Sequence, residues 1–186
     1  MGRRTEVRLA GSGGQGLILA GVILAEAATI YDEKNAVQSQ SYGPEARGGA
    51  SRAEVIISDA DIEYPKATEL DILLCLTQES CDRYVQDLKP GGLLLVDRDE
   101  VNEIKAAREA EVKVVKIPII STAKEKIGKA LVANIVALGA LVQITRVVTK
   151  DALKNAVLGR VPKGTEDLNL NALESGFELG REYKKT

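Results

Sequence analysis

The chain has no histidine, no tryptophan, one phenylalanine and two cysteines among its 186 residues. Each shortage excludes a chemistry. Without histidine there is no Ser-His or Cys-His nucleophile pair. Two thiols, Cys75 and Cys81, cannot supply the four protein ligands of an iron–sulfur cluster. Without histidine they cannot complete a structural zinc site of the usual kind either. Any electron transfer would need a partner subunit. Cys75 lies in the apolar run Asp71-Ile72-Leu73-Leu74-Cys75-Leu76 and reads as a core residue.

Other absences bear on partners and location. Aromatics make up 3% of the chain, too few for the stacking platforms that bind single-stranded nucleic acid. The net charge is −2 with both signs mixed, so no basic block is long enough to track a phosphate backbone. Gly2-Arg3-Arg4 is not followed by the apolar core of a signal peptide. The longest mostly apolar stretch, Ala130 to Ile144, is interrupted by Asn134 and Gln143, and its 15 residues are too few to span a bilayer. A cytoplasmic protein is expected, with no nucleic-acid partner and no membrane.

What is present is aliphatic. The 45% hydrophobic content must come from Ala, Val, Ile and Leu, which suits a parallel sheet covered by helices. The length favours one domain over residues 1–186. Strands are expected at Glu6–Ala10, Asn35–Gln38, Arg52–Ser58, Asp71–Leu76, Leu93–Asp97 and Val112–Ile117. Helices are expected at Leu17–Ile30, at Gln78–Leu88 with Thr77 as N-cap, and over the charged segment Glu100–Ala110. Thr122-Ala123-Lys124-Glu125 matches a capping box opening a long helix to Ile144, weakened at Gly128 and Gly139. Two more helices follow, Thr149–Leu158 and Glu166–Tyr183, and Lys89-Pro90-Gly91-Gly92 reads as a turn. The alternation implies a three-layer α/β/α domain with a mostly parallel sheet. The nearly all-apolar helix Ala130–Ile144 must be covered, either by a partner or by its own domain.

Two loops carry the chemistry. Gly11-Ser12-Gly13-Gly14-Gln15-Gly16 turns from the first strand into the first helix, with the Gly-x-Gly-x-x-Gly spacing of dinucleotide sites. Such glycines bring backbone N–H groups close to an anion at a helix N-terminus, though any sharp strand-to-helix turn also needs them. A dinucleotide site also needs an acidic residue ending the second strand. Asp32 and Glu33 precede that strand and read as solvated turn residues. Gln15 either faces a ligand or bonds to local backbone.

The second loop, Ser39–Ser51, is polar and glycine-rich, and loops of that length are often functional. Tyr42 offers a ring and a hydroxyl, Pro44 stiffens the turn, and Gly48-Gly49 allows close backbone approach. Glu45 and Arg47 can meet each other or a charged ligand. Arg47 and Arg52 suit a phosphate or carboxylate. The plain alternative is a surface loop with one local salt bridge.

These paired motifs, with Asp71-Ile72-Leu73-Leu74, Leu88-Lys89-Pro90-Gly91-Gly92, Pro118 and the Asn134–Gly139 segment, resemble the gamma subunit of the 2-oxoacid:ferredoxin oxidoreductases. The wording Tyr-Gly-Pro-Glu-Ala-Arg-Gly-Gly is most similar to the 2-oxoglutarate branch. The resemblance implies the fold of domain III of pyruvate:ferredoxin oxidoreductase. It implies a complex, typical of anaerobic metabolism, that turns a 2-oxo acid, coenzyme A and oxidised ferredoxin into acyl-CoA, CO2 and reduced ferredoxin. The implied partners are alpha, beta and ferredoxin-like delta subunits. Thiamine diphosphate and iron–sulfur clusters would sit in those chains, and none is expected on this chain alone. The gamma subunit would help enclose coenzyme A. That division agrees with a chain that has no histidine and no cysteine cluster and is poorly equipped to run the redox chemistry itself, where a cofactor does the hard step, so no catalytic residue and no metal site is expected on it.

The expected contact residues are Gly11, Gly13, Gly14, Gln15, Gly16, Tyr42, Glu45, Arg47 and Gly48. The two loops are expected on one edge of the sheet, facing a partner's active site. Pyruvate or indolepyruvate is the alternative substrate, and a homodimer of the isolated chain stays open. A free-standing nucleotide-binding protein and a purely structural subunit are the rival readings.

Overall fold

A computed structural model describes residues 4–42, 50–104 and 111–183, with Tyr42 and Ala50 described by their backbone only. Its strands are β1 (Arg4–Ser12), β2 (Asn35–Tyr42), β3 (Ala50–Ser58), β4 (Leu70–Cys75), β5 (Leu88–Asp97) and β6 (Lys113–Ile117). They form one sheet in the order β2-β3-β1-β4-β5-β6. β1, β4, β5 and β6 are mutually parallel. β3 runs antiparallel to both its neighbours, so β2 points the same way as β1.

The helices are α1 (Leu17–Glu26), α2 (Gln78–Tyr84), α3 (Ile119–Ser121), α4 (Ala133–Thr145), α5 (Lys150–Arg160) and α6 (Glu166–Tyr183). The aliphatic strands bury both faces, but unequally. Val7, Leu9, Val55, Leu74, Leu95 and Val115 pack against α1, α4, α5 and α6. Leu73, Cys75, Leu94 and Val96 pack against Cys81, Tyr84 and Val85 from α2 and the turn after it.

Several expectations change. β2 runs on to Tyr42, because β3 pairs with it residue for residue from Asn35↔Ser58 to Tyr42↔Ser51. A backbone partner overrides a polar composition, so the second loop is shorter than read. Lys89-Pro90-Gly91-Gly92 lies inside β5, at a register shift opposite Leu70 and Ile72. Gly91 takes a left-handed φ of 77° there. Of Glu100–Ala110, residues 101–104 are not helical and 105–110 lie outside the described residues.

The capping box is absent. Thr122 already has helical φ and ψ of −59° and −45°. The cap comes from β5, where the Asp97 carboxylate accepts the Ile120 N–H at 2.7 Å. The run then widens into a π-helix at Thr122–Lys126. It stops at Gly128, φ 81°, where the Lys129 N–H reaches back to the Ala123 carbonyl at 3.0 Å. A 3-10 turn, Ala130–Val132, leads into α4.

The apolar α4 is buried by its own domain from Ala133 to Gln143. Gly139 is a point of contact with α6, not a weakness in the helix. A β-carbon there would sit 3.1 Å from the Gly176 Cα, and one on Gly180 would sit 2.8 Å from Gln143 Cβ. Asp32 is also more than a solvated turn residue, since it accepts both the Thr149 N–H (2.7 Å) and hydroxyl (2.6 Å) before α5.

Candidate functional site

The carboxyl ends of the four parallel strands meet at one end of the sheet. From β1 the chain crosses over by α1 toward β2, and from β4 it crosses by α2 the other way to β5. Ligand sites of open α/β sheets lie at such a reversal. A cleft of about 430 Å³ opens here. Each parallel strand supplies part of its wall: Ser12 ending β1 with Gly14 and Gln15 beyond it, Thr77 after β4, Glu100 after β5, and Ile120 and Lys124 after β6. Ala130, Leu131 and Ala133 complete it.

The glycine loop is folded tightly on itself. The Gln15 N–H donates to the Ser12 carbonyl at 3.3 Å, and the Gln15 Oε1 accepts the Ser12 N–H at 2.8 Å. This is the local backbone bond that was one of the two readings of Gln15, although Gln15 also lines the cleft. The folded amide covers Gly11, where a β-carbon would strike it and approach Leu17 to 2.8 Å. Gly11 is therefore buried and serves packing. Gly13 and Gly14 are exposed at the mouth.

Gly16 precedes α1 in a left-handed conformation, φ 72°, and no side chain caps the helix. Its carbonyl accepts the Ala20 N–H and the Asn134 Nδ2–H, each at 3.0 Å. A β-carbon on Gly16 would lie 2.5 Å from that Nδ2.

The second loop starts and ends beside the first. Tyr42 pairs with Ser51, and Ala50 pairs with Ser12, so both loops leave the same end of adjoining strands. Glu45, Arg47 and Gly48 lie outside the described residues, and for Tyr42 only the backbone position is given. Arg52 does not join the cleft. It lies on the other face, 5.4 Å from the Tyr84 ring and 3.8 Å from Glu54. Arg8, buried there, pairs with Glu54 at 2.7 Å and with Asp87.

Three site residues escaped the sequence reading. Lys124 and Glu100 line the cleft with opposite charges. Asp97 is fully buried and accepts the N–H groups of Asp99 (2.9 Å), Glu100 (3.0 Å) and Ile120 (2.7 Å). One carboxylate thus fixes both the turn carrying Glu100 and the segment carrying Lys124. The only signal was an aspartate ending an apolar strand, which says nothing of a partner 23 residues on. Nearby, the Ser121 hydroxyl and then the Arg98 guanidinium hold the Asp99 carboxyl below the usual range.

Cys75 is a core group, as read, and so is Cys81. Cys75 and Cys81 are buried and hydrogen-bonded to each other. Burial pushes Cys75 well up, while the bond from Cys75 brings Cys81 down. Among the described residues no cluster of three potential metal ligands forms, and no helix is long and apolar enough to cross a membrane. A second, apolar groove of about 290 Å³ lies on the far side of Leu131, between Leu19, Val161 and Leu168. Leu131 is 74% exposed on the ridge between the two.

Residues 6–179 match the family described as pyruvate ferredoxin/flavodoxin oxidoreductase, and the chain belongs to that family. Among individual relatives, it is 54% identical to the 2-oxoglutarate synthase subunit KorC of Methanocaldococcus jannaschii, over 96% of this chain and 95% of that one. It is 50% identical to KorC of Methanothermobacter marburgensis, over 98% and 100%. The crystal structure of a keto/oxoacid ferredoxin oxidoreductase gamma subunit from Geobacter sulfurreducens superposes with a TM-score of 0.88 at 54% identity, covering 97% of this chain and 98% of that one.

Proposed function

We propose that this chain is the gamma subunit of a cytoplasmic 2-oxoglutarate:ferredoxin oxidoreductase. The assembled enzyme converts 2-oxoglutarate, coenzyme A and two oxidised ferredoxins into succinyl-CoA, CO2, two reduced ferredoxins and a proton. The observation that carries this is the end-to-end match, at 54% identity, to a protein named as a 2-oxoglutarate synthase subunit. The chain's chemistry agrees. With no histidine and only two, buried, cysteines it lacks the ligands of an iron–sulfur cluster, and the family likeness assigns thiamine diphosphate and the clusters to alpha, beta and delta partners.

This chain supplies a wall. Exposed backbone at Gly14, the Gln15 amide and Lys124 meet at the cleft, with exposed Gly13 next in the chain, beside the ends of the loop that carries Arg47. An ammonium and backbone N–H groups suit a phosphate or carboxylate. The cleft faces the partner's active site and helps close it around coenzyme A, while the exposed ridge at Leu131 meets the partner itself.

The test is purification of the tagged chain from cells that express the whole complex. A thiamine-binding chain and a cluster-bearing chain should come with it. The preparation should reduce ferredoxin only with 2-oxoglutarate and coenzyme A together. Faster turnover of pyruvate or indolepyruvate would move the chain to another branch. Purification without partners, with a nucleotide bound tightly in calorimetry, would replace this reading with a free-standing nucleotide protein. Arg47→Ala should lower turnover or coenzyme A affinity in an intact complex. Lost assembly alone would leave the loops a structural role.

A further inference from the structure

The sheet has two outer edges, and they are built differently. At one, β6 carries exposed Lys113 and Lys116 among its five residues, and the Tyr183 hydroxyl of α6 approaches the Val114 carbonyl at 3.5 Å. Lysines and a covering helix are what keep an edge from pairing with a neighbour. At the other edge, β2 is eight residues long, Asn-Ala-Val-Gln-Ser-Gln-Ser-Tyr, with no charge and no proline. It follows β3 without a register shift, and no strand lies on its outer side among the described residues. Ser39, Gln40 and Ser41 are exposed. The nearest lysine does not guard it, because the Lys34 Nζ is turned to the Val147 carbonyl at 3.1 Å.

We infer that β2 pairs antiparallel with β2 of a second copy of this chain, joining two six-stranded sheets across a two-fold axis. The charge pattern selects the copy over a foreign strand. Self-pairing sets each residue opposite one from the same strand, and like charges there would repel. β2 has none to repel, whereas self-pairing of β6 would gather two lysines from each copy onto one five-residue ladder. Asn, Gln and Ser both donate and accept, so identical side chains can satisfy one another across the pair. A charged partner strand would find no counter-charge on β2.

The pairing has a geometric result. β2 runs parallel to β1, so antiparallel self-pairing points the two clefts to opposite ends of the joined sheet. Each copy would then serve a separate catalytic centre. The inference does not rest on which 2-oxo acid the complex uses.

The experiment is sedimentation equilibrium of the purified full chain from on the order of 1 to 100 μM, the range in which a modest self-association shows. A dimer is expected. Ser39→Lys with Ser41→Lys sets four like charges along the pair and should weaken association about tenfold or more. Lys113→Ser with Lys116→Ser should leave it unchanged. Hydrogen exchange supplies a readout that needs no variant: the alternate, outward-facing amides of residues 35–42 should lose protection on dilution, while those bonded to β3 and those of β1 keep it. A monomer throughout the range, or a dimer indifferent to the lysines in β2, overturns the inference. So does β2 protection that appears only on adding a partner subunit, which would give the edge to that partner.

Discussion

Two strand-to-helix turns lie side by side at the cleft, and they end differently. After β4, Thr77 is extended and its hydroxyl oxygen accepts the Ser80 N–H at 3.2 Å. The Ser80 hydroxyl donates back to the Thr77 carbonyl at 2.8 Å. That helix start is finished by its own chain. After β1, Gly16 is left-handed and α1 has no side-chain cap. Its turn is held from behind, by Gln15 on Ser12 and by Asn134 on Gly16. A helix start leaves N–H groups that need partners. One of these two turns supplies a partner internally, and the other leaves its mouth, Gly13 and Gly14, open. The same position in the fold thus yields one structural turn and one available to a neighbour.

The contrast breaks most strongly at Gly16. Gly16→Val combines a left-handed β-branched residue with a β-carbon 2.5 Å from Asn134, and should cost about 3 kcal/mol or more. Urea unfolding measures it, and a cost below about 1 kcal/mol would show that the loop simply relaxes. Asn134→Ala leaves the Ile135 N–H without its 2.9 Å acceptor and frees the Gly16 carbonyl on one side. A loss of about 2 kcal/mol is expected, with faster exchange of the loop amides. Thr77→Ala should cost about 1 kcal/mol, the ordinary value for a cap. Thr77 also lines the cleft, but its hydroxyl is taken up by the cap, so turnover of the assembled enzyme should change little, and a large drop would make the β4 turn functional as well. Smallest in stability is Lys124→Ala, exposed and without an ion pair among the described residues, which should stay within about 0.5 kcal/mol. Its expected effect is a several-fold rise in the KM for coenzyme A.

Much of this was legible beforehand. Aliphatic runs marked β4 and the core of β5, and Thr77 was readable as a cap because N-capping is local. The glycine loop was readable as a turn. Its meaning was not, because Asn134 reaches Gly16 across 118 residues. The length of β2 was hidden in the same way. Nothing in Ser39-Gln40-Ser41 favours a strand until β3 lies beside it. The Thr122 box misled because a local pattern competed with Asp97, a distant carboxylate that caps the helix earlier. Lys124 could not be placed until the π-helical run was known. For Gly16 and for Thr122 the deciding contact lay far away in sequence.

The glycines where α4 meets α6 also govern how the domain can move. Ordinary packed helices slide on a cushion of side chains that hop between rotamers. At Gly139 and Gly176 there is no cushion, and a β-carbon on Gly176 would already be 3.0 Å from the Ala140 nitrogen. The two helices therefore behave as one stiff beam. The first residue of that beam, Ala133, forms part of the cleft wall. That wall is a fixed jaw. The facing side is preformed as well, with the glycine turn tied down by Gln15 and Asn134 and the Lys124 segment by Asp97, so a ligand meets a cleft whose walls are already in place.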